Sequence, residues 1–364
     1  MSFHFPGMSR RSFLGYSAGA LAASALPSFA WPAATASPRR IILDCDPGVD
    51  DAMAIFLALR SPELRVEAVT AVSGNVPLSF TLPNALRLVE IAGRTDVPVA
   101  GGAATPLVRR LTTASYVHGN NGLGGVEFPE PKLKPVAEPA AQLIQRVVRS
   151  SPGEITIVGV GPLTNVATAL KSDPGLASQI KEIVVMGGSL SGGNITPAAE
   201  FNFYVDPEAA RIVFNAGVPL TMVGLDVTHK VLLGEEHLKA LQAVQTPLSQ
   251  AAAKIMRATL ERMRKGRDVT VVAMHDPLTV AHLIDSTILT FKDYYVQIET
   301  SGEFTAGESV GYTYAPARTS PPMNTGQPAP ETTPPEFKPN TKVAMGVDPD
   351  KFFRLLIPRL TAAC

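Results

Sequence analysis

Cysteine is nearly absent from this chain, with only Cys45 and Cys364 in 364 residues. Two cysteines make no disulfide framework, so the fold must rest on a packed core. An excess of charge of either sign is also missing. Lys+Arg and Asp+Glu stand at 32 each, which leaves no electrostatic footprint of a nucleic-acid partner. No internal repeat is visible. The glycine-rich stretch Val117-His118-Gly119-Asn120-Asn121-Gly122-Leu123-Gly124-Gly125 lacks the spacing and the lysine of a phosphate-binding P-loop. It reads either as a lid over a site or as a structural turn. What remains is a small, locally recognised ligand. At 45% hydrophobic, the chain has enough apolar content for a substantial core.

The N-terminus reads as a targeting segment. Ser9-Arg10-Arg11-Ser12-Phe13-Leu14 is a twin-arginine pattern. A mildly apolar stretch, Gly15 to Leu26, follows, then small-residue cleavage sites at Ser28-Phe29-Ala30 or Ala34-Thr35-Ala36. The apolar stretch is too short and too rich in Ala and Gly to span a bilayer well. Residues 1–36 are therefore expected to be a signal peptide, with export to the periplasm or beyond and no membrane association after cleavage. Arg10 and Arg11 are its only charged residues, so residues 37–364 carry 30 basic against 32 acidic side chains.

Beyond it, apolar runs alternate with helical patterns. Strands are expected at Arg40–Asp44, Val66–Ser73, Val97–Ala100, Ile155–Gly159, Ile183–Met186, Leu220–Val223 and Tyr294–Ile298. Helices are expected at Asp51–Leu59, Leu82–Ile91, Pro139–Ser150, Leu163–Lys171, Pro207–Asn215, Glu235–Gln242, Pro247–Lys265 and Pro349–Leu360. Such alternation implies an α/β fold with a mostly parallel central sheet covered by helices on both faces. Ligands bind beyond the carboxyl ends of strands in open sheets of this kind. Residues 315–340 interrupt the pattern with eight prolines and little apolar content, an insertion expected to be disordered or polyproline-like and to lie near the surface.

The most informative segment is Asp44-Cys45-Asp46-Pro47-Gly48-Val49-Asp50-Asp51. Four carboxylates crowd the end of a buried strand. They repel one another unless something positive sits between them. Carboxylate oxygens suit a hard divalent cation such as calcium or magnesium. Capping of the following helix would account for Asp50 or Asp51, but not for Asp44 and Asp46 as well. Cys45, inside the strand, reads as a small buried residue.

Three later segments add to it. In Met274-His275-Asp276-Pro277, Asp276 could supply another carboxylate, and His275 could protonate a leaving group. Between Gly193 and Pro207, Asn194, Glu200 and Asn202 offer fixed partners for hydroxyls, and Phe201 an apolar face. Asp206-Pro207 reads as a helix cap. Ser73-Gly74-Asn75, Gly159-Val160-Gly161-Pro162 and Met186-Gly187-Gly188 follow other strands and should meet the aspartates on one face.

Together these motifs resemble the inosine–uridine-preferring nucleoside hydrolases, from about Arg40 to about Gly311 and again over Asn340–Leu360. The aspartate segment matches the family's hallmark. Gly161-Pro162-Leu163-Thr164-Asn165, Met186-Gly187-Gly188, Glu200-Phe201-Asn202 and His275-Asp276-Pro277 follow in the family's order. The resemblance implies a single open, Rossmann-like α/β domain, assembled as a homodimer or homotetramer, that hydrolyses ribonucleosides to ribose and free base. It implies one Ca2+ held by Asp46, Asp51, the Val160 carbonyl and Asp276. Asp46 would act as base toward a water and His275 as acid near the leaving base. Asp50, Asn194, Glu200 and Asn202 would hold the ribose, with Asn75 near the water and Met186 and Phe201 beside the sugar. Val160 stands where some relatives have threonine, which is harmless where only a carbonyl is used. Residues 256–265 contain no aromatic side chain, whereas many relatives place aromatics there over the base. That departure leaves open which base is accepted, with Arg262 and Arg264 as candidates to replace them.

Other readings remain beside this one. A hydrolase of another ribosyl compound, or a periplasmic nucleoside-binding protein without turnover, would use many of the same residues. Asp44-x-Asp46 also fits an aspartate-nucleophile phosphatase, which the adjacent pair Asp50-Asp51 argues against.

Overall fold

Ile41, Ile42 and Leu43 are apolar in succession rather than in alternation, the pattern of a strand covered on both faces. They lie in β1 (Arg39–Cys45), and all three are fully buried. Ile41, Leu43 and Cys45 pack into one apolar cluster and Ile42 into the other, so β1 separates two layers. The computed structural model describes residues 37–267, 269–314 and 338–362.

Around β1 the sheet continues with β2 (Leu64–Ala71), β3 (Val99–Gly101), β4 (Thr156–Gly159), β5 (Glu182–Met186) and β6 (Leu220–Val223). The short strands β7 (Leu232–Leu233) and β8 (Val272–Ala273) form a separate antiparallel pair. β9 (Leu289–Ile298), β10 (Ser309–Tyr312) and β11 (Thr341–Val347) complete the main sheet. Among the described residues its order is β10-β9-β11-β6-β5-β4-β1-β2-β3. From β11 to β3 every pairing is parallel, while β9 runs antiparallel to both its neighbours. Helices Val49–Arg60, Pro247–Arg267, His275–Ile284 and Pro349–Thr361 contribute to one apolar layer. Helices Ala140–Ser150, Thr164–Ser172 and Pro207–Phe214 contribute to the other.

All seven expected strands and all eight expected helices are present, with ends shifted by a few residues. β7 and β8 are too short to leave a periodic signal. β11 was hidden by its own irregularity. Its register slips between Ala344 and Gly346, and a glycine at such a slip breaks the alternation that marks a strand. Of the proline-rich stretch, 315–337 lies outside the described residues. Residue Asn340, placed in that stretch by composition, is anchored. Its Oδ1 accepts the Val296 N–H at 2.7 Å, and its Nδ2 donates to the Val296 carbonyl at 3.0 Å.

The consequence for function is positional. β1, β2, β4 and β5 run parallel, so the loops after them open on one edge of the sheet. Asp46, Asn75, Val160 and Met186 all stand at that edge.

Candidate active site

The backbone after β1 turns sharply at Pro47-Gly48 into the helix Val49–Arg60. Asp51 sits in its first turn and performs two tasks. One oxygen accepts the Asp46 N–H at 3.1 Å. The other accepts the Gly48 N–H at 2.9 Å and the Asn75 side-chain amide at 3.0 Å. Asp51 is therefore a helix cap and a site carboxylate at once. Asp46 is fully buried. Its Oδ2 accepts the Asn75 N–H at 2.7 Å, and among the described residues its Oδ1 has no partner.

Two glycines make room for Asp46. A Cβ on Gly74 would collide with Asp46 Oδ2, and one on Gly161 would lie 2.6 Å from Oδ1. Gly74→Ala is therefore expected to push the carboxylate aside and, with Asp46 read as the base, to cut kcat/KM by roughly 100-fold, the scale of a displacement of about 1 Å at such a group. Far-UV circular dichroism should stay as it is. Full activity in Gly74→Ala would mean that the position of Asp46 does not matter.

Asp276 arrives from the far end of the chain, in the first turn of helix His275–Ile284. Oxygens of Asp50, Asp51 and Asp276 lie within 4.8 Å of one another, all buried. Burial is the main force on their ionisation, with mutual repulsion added for Asp46, Asp50 and Asp276. Asp46 and Asp276 are driven well above the usual carboxylate range, Asp51 is raised, and Asp50 is pushed up to about 7. Asp50 Oδ1 and Asp46 Oδ1 are both buried without a hydrogen-bond partner. Orphaned, crowded, buried oxygens fit a hard divalent cation, which would supply the missing positive charge. The Val160 carbonyl beside them accepts the Asn202 amide at 3.0 Å. Asp44 stays apart from the others. Its Oδ1 accepts Thr70 Oγ1 at 2.5 Å and Asn165 Nδ2 at 2.8 Å, tying β1 to β2 and to the helix Thr164–Ser172.

Above the carboxylates lies a cavity of about 510 Å³. Asp50, Asn75, Val160, Met186 and Asp276 line it, as do Asn194, Glu200, Phe201, Asn202 and His275. Asp46 and Asp51 are the two expected site residues that do not. Asn75, which does line it, hydrogen-bonds to both. Glu200 is fixed as the cap of helix Phe201–Val205, accepting the Asn202 and Phe203 N–H groups at 3.0 and 3.2 Å. It also accepts the Gly188 N–H at 3.0 Å, and burial lifts its pKa to about 7. Asn194 holds the next residue in place, its Oδ1 accepting the Phe201 N–H at 2.9 Å.

Several cavity residues were missed as site residues. His118 belongs to the glycine-rich loop, where a histidine among turn glycines was the available signal. Its Nδ1 accepts the Val49 N–H at 3.1 Å and stands 3.9 Å from Asp50 Oδ1. His229 and Met263 carried no motif at all. Gly119, Gly122, Gly124 and Gly125 all adopt positive φ, and a Cβ on Gly124 would meet Thr259 and Ile255 of helix Pro247–Arg267. From that helix Arg262 donates to the Val117 carbonyl, while Arg264 pairs with Glu235 at 3.1 Å. Neither arginine lines the cavity; Met263 does.

The sequence matches the inosine-uridine preferring nucleoside hydrolase family over residues 41–354. It is 44% identical over 321 residues to a pyrimidine-specific ribonucleoside hydrolase, RihA, of Salmonella arizonae, covering 88% of this chain and 97% of that protein. The protein of the same name from Escherichia coli is 45% identical over 322 residues, with the same coverage. Among solved structures, a plant nucleoside hydrolase, the PpNRh1 enzyme, superposes with a TM-score of 0.81 at 36% identity, over 90% of this chain and 100% of that one. A purine-preferring ribonucleoside hydrolase from Gardnerella vaginalis gives 0.78 at 31% identity, over 88% and 98%. With its carboxylates gathered at the edge of a parallel sheet and residues 41–354 matched, this chain belongs to the inosine-uridine preferring nucleoside hydrolases and cleaves the N-glycosidic bond of ribonucleosides.

Proposed function

We propose that the chain is a calcium-dependent hydrolase with a preference for pyrimidine ribonucleosides, uridine among them. The observation that carries the metal-assisted reading is the convergence of Asp50, Asp51 and Asp276 beneath a cavity that also holds Asn194, Glu200 and Asn202. The pyrimidine preference rests on the relatives at 44% and 45% identity, whose names carry that specificity.

In this reading Asp46, Asp51, Asp276 and the Val160 carbonyl hold the calcium ion. When bound, the ion supplies Lewis-acid polarisation of a water and a hold on the ribose hydroxyls. Asp46 takes the proton of the attacking water, which Asn75 aligns. Asp50, Asn194, Glu200 and Asn202 bind the ribose hydroxyls, and Met186 and Phe201 pack beside the ring. As the glycosidic bond breaks, positive charge grows on the sugar, and the fixed carboxylates favour it. The base departs with extra electron density, and His275 stabilises it from the cavity wall. Burial holds the His275 pKa down at about 3, so at neutral pH the ring acts as a neutral hydrogen-bond donor.

Export by the twin-arginine route is proposed on Arg10 and Arg11. The substrate proposal is tested by reducing-sugar release from uridine, cytidine, inosine and adenosine, using residues 37–364 with calcium present. Release from the two pyrimidine nucleosides should exceed release from the purines by at least roughly tenfold, the low end of what a difference in pocket fit provides. Faster release from inosine would reverse the assigned preference. No release from any of the four would point to another ribosyl compound.

A further inference from the structure

Thr228 ends the short helix Leu225–Thr228, which follows β6, and is fully buried. Its Oγ1 lies 2.8 Å from His275 Nδ1. No other side-chain partner of this hydroxyl occurs among the described residues. His275 lines the cavity, and its Nδ1 is taken, so Nε2 is the ring nitrogen left for a ligand.

The direction of that hydrogen bond decides what His275 can do. A neutral imidazole carries one proton, and the hydrogen bond made by one nitrogen sets where it sits. If Nδ1 donated to Thr228, the hydroxyl proton would be buried without an acceptor, which is costly. Nε2 would then present a lone pair to the cavity and repel an electron-rich leaving base. If the hydroxyl donates to Nδ1, the buried proton is satisfied and Nε2–H becomes a donor facing the cavity. Satisfaction of the buried group and usefulness at the site therefore favour the same arrangement.

We propose that Thr228 is a positioning residue that fixes His275 as the Nε2–H tautomer and so makes it a hydrogen-bond donor to the departing base. The inference rests on the reading of His275 given above. The His229 ring also packs against His275, with centroids 5.5 Å apart in an edge-on contact.

The test compares two substrates whose leaving groups differ in their need for help. Uridine releases a poor leaving group. The p-nitrophenyl riboside releases a stable phenolate that needs no donor. In Thr228→Val the hydroxyl is replaced by a methyl group of similar volume. The ratio of kcat on uridine to kcat on the nitrophenyl riboside should fall by roughly tenfold or more, a modest share of what acid–base assistance contributes. Thr228→Ser, which keeps the hydroxyl, should restore the ratio. A general packing defect would lower both rates together and leave the ratio alone, and that result overturns the proposal. His275→Ala separates the two levels of the argument. If His275→Ala lowers the ratio and Thr228→Val does not, Thr228 has no such role. If His275→Ala leaves the ratio intact, the reading of His275 itself fails. Ring-nitrogen NMR of the isotope-labelled protein decides the tautomer independently. A protonated Nε2 is expected, and a protonated Nδ1 overturns the proposal whatever the kinetics show.

Discussion

Asp46→Asn should leave the protein folded and all but inactive, with kcat/KM on uridine down by roughly 10⁴-fold, the upper range for loss of an acid–base group. The asparagine keeps the shape of the side chain and its acceptor for the Asn75 N–H, now at 2.7 Å. What it loses is the negative charge and the orphaned Oδ1. That oxygen, like Asp50 Oδ1, has no hydrogen-bond partner among the described residues, and it is the one assigned to the water. The same substitution should not destabilise the metal-free protein. Asp46 is fully buried beside Asp51 and Asp50, and its ionisation is opposed by burial first and by Asp51 second. Removing a charge that the fold resists costs nothing structurally, whereas removing one from a paired site would. Calorimetry of the metal-free variant should therefore give a Tm equal to or above that of the parent. A variant within tenfold of parental activity would remove Asp46 from the reaction. A large fall in Tm would mean that it is a structural residue.

Much of this site was legible because the chemistry is concentrated in short segments at strand ends. Asp44, Asp46, Asp50 and Asp51 fall within eight residues, and a parallel strand followed by a helix carries such a segment to the sheet edge whatever else the chain does. The cap reading and the site reading of Asp51 were posed as rivals, yet one side chain serves both, because a helix N-terminus attracts the same negative charge that a cation does. Asp44 misled in the opposite way. It belongs to the motif, but Thr70 and Asn165 hold it away from the cavity. Partners that lie 26 and 121 residues away cannot be inferred from the motif itself. His118 and His229 were illegible as site residues for a similar reason. Their place in the cavity depends on which loops pack together, and single histidines carry no spacing. The helix Pro247–Arg267 shows the limit of reasoning from residue type. Arg262 is a candidate substitute for an aromatic over the base, but it donates to the Val117 carbonyl and does not line the cavity, and its neighbour Met263 does.

Removing the divalent cation should lower Tm far more at pH 8 than at pH 5. Asp50 has a pKa pushed up to about 7 by burial and by Asp51, against an ordinary value of 3.8. Asp51, Asp46 and Asp276 are shifted in the same direction. A carboxyl group whose folded pKa is raised keeps its proton in the folded state when the unfolded chain has already lost it. The metal-free fold is thus favoured at low pH, and that advantage is lost as pH rises from about 4 through about 7. Above 7 the cluster carries unshared negative charge, and a bound cation is what relieves it. Cation affinity must rise over the same interval, because each proton on the cluster competes with the ion. Free calcium at about 100 times its Kd should stabilise the fold by about 2.7 kcal/mol at pH 8. For a chain of this size that is roughly 4 °C in Tm. At pH 5 the shift should fall to a small fraction of that. Scanning calorimetry with and without chelator at the two pH values measures both shifts. Calcium added back at pH 8 should restore Tm and activity together, and magnesium should do so less well, since the larger ion tolerates an irregular set of carboxylates and a carbonyl. Equal shifts at the two pH values would mean that the buried carboxylates do not hold the ion. Restoration by magnesium alone would keep the site and change its metal.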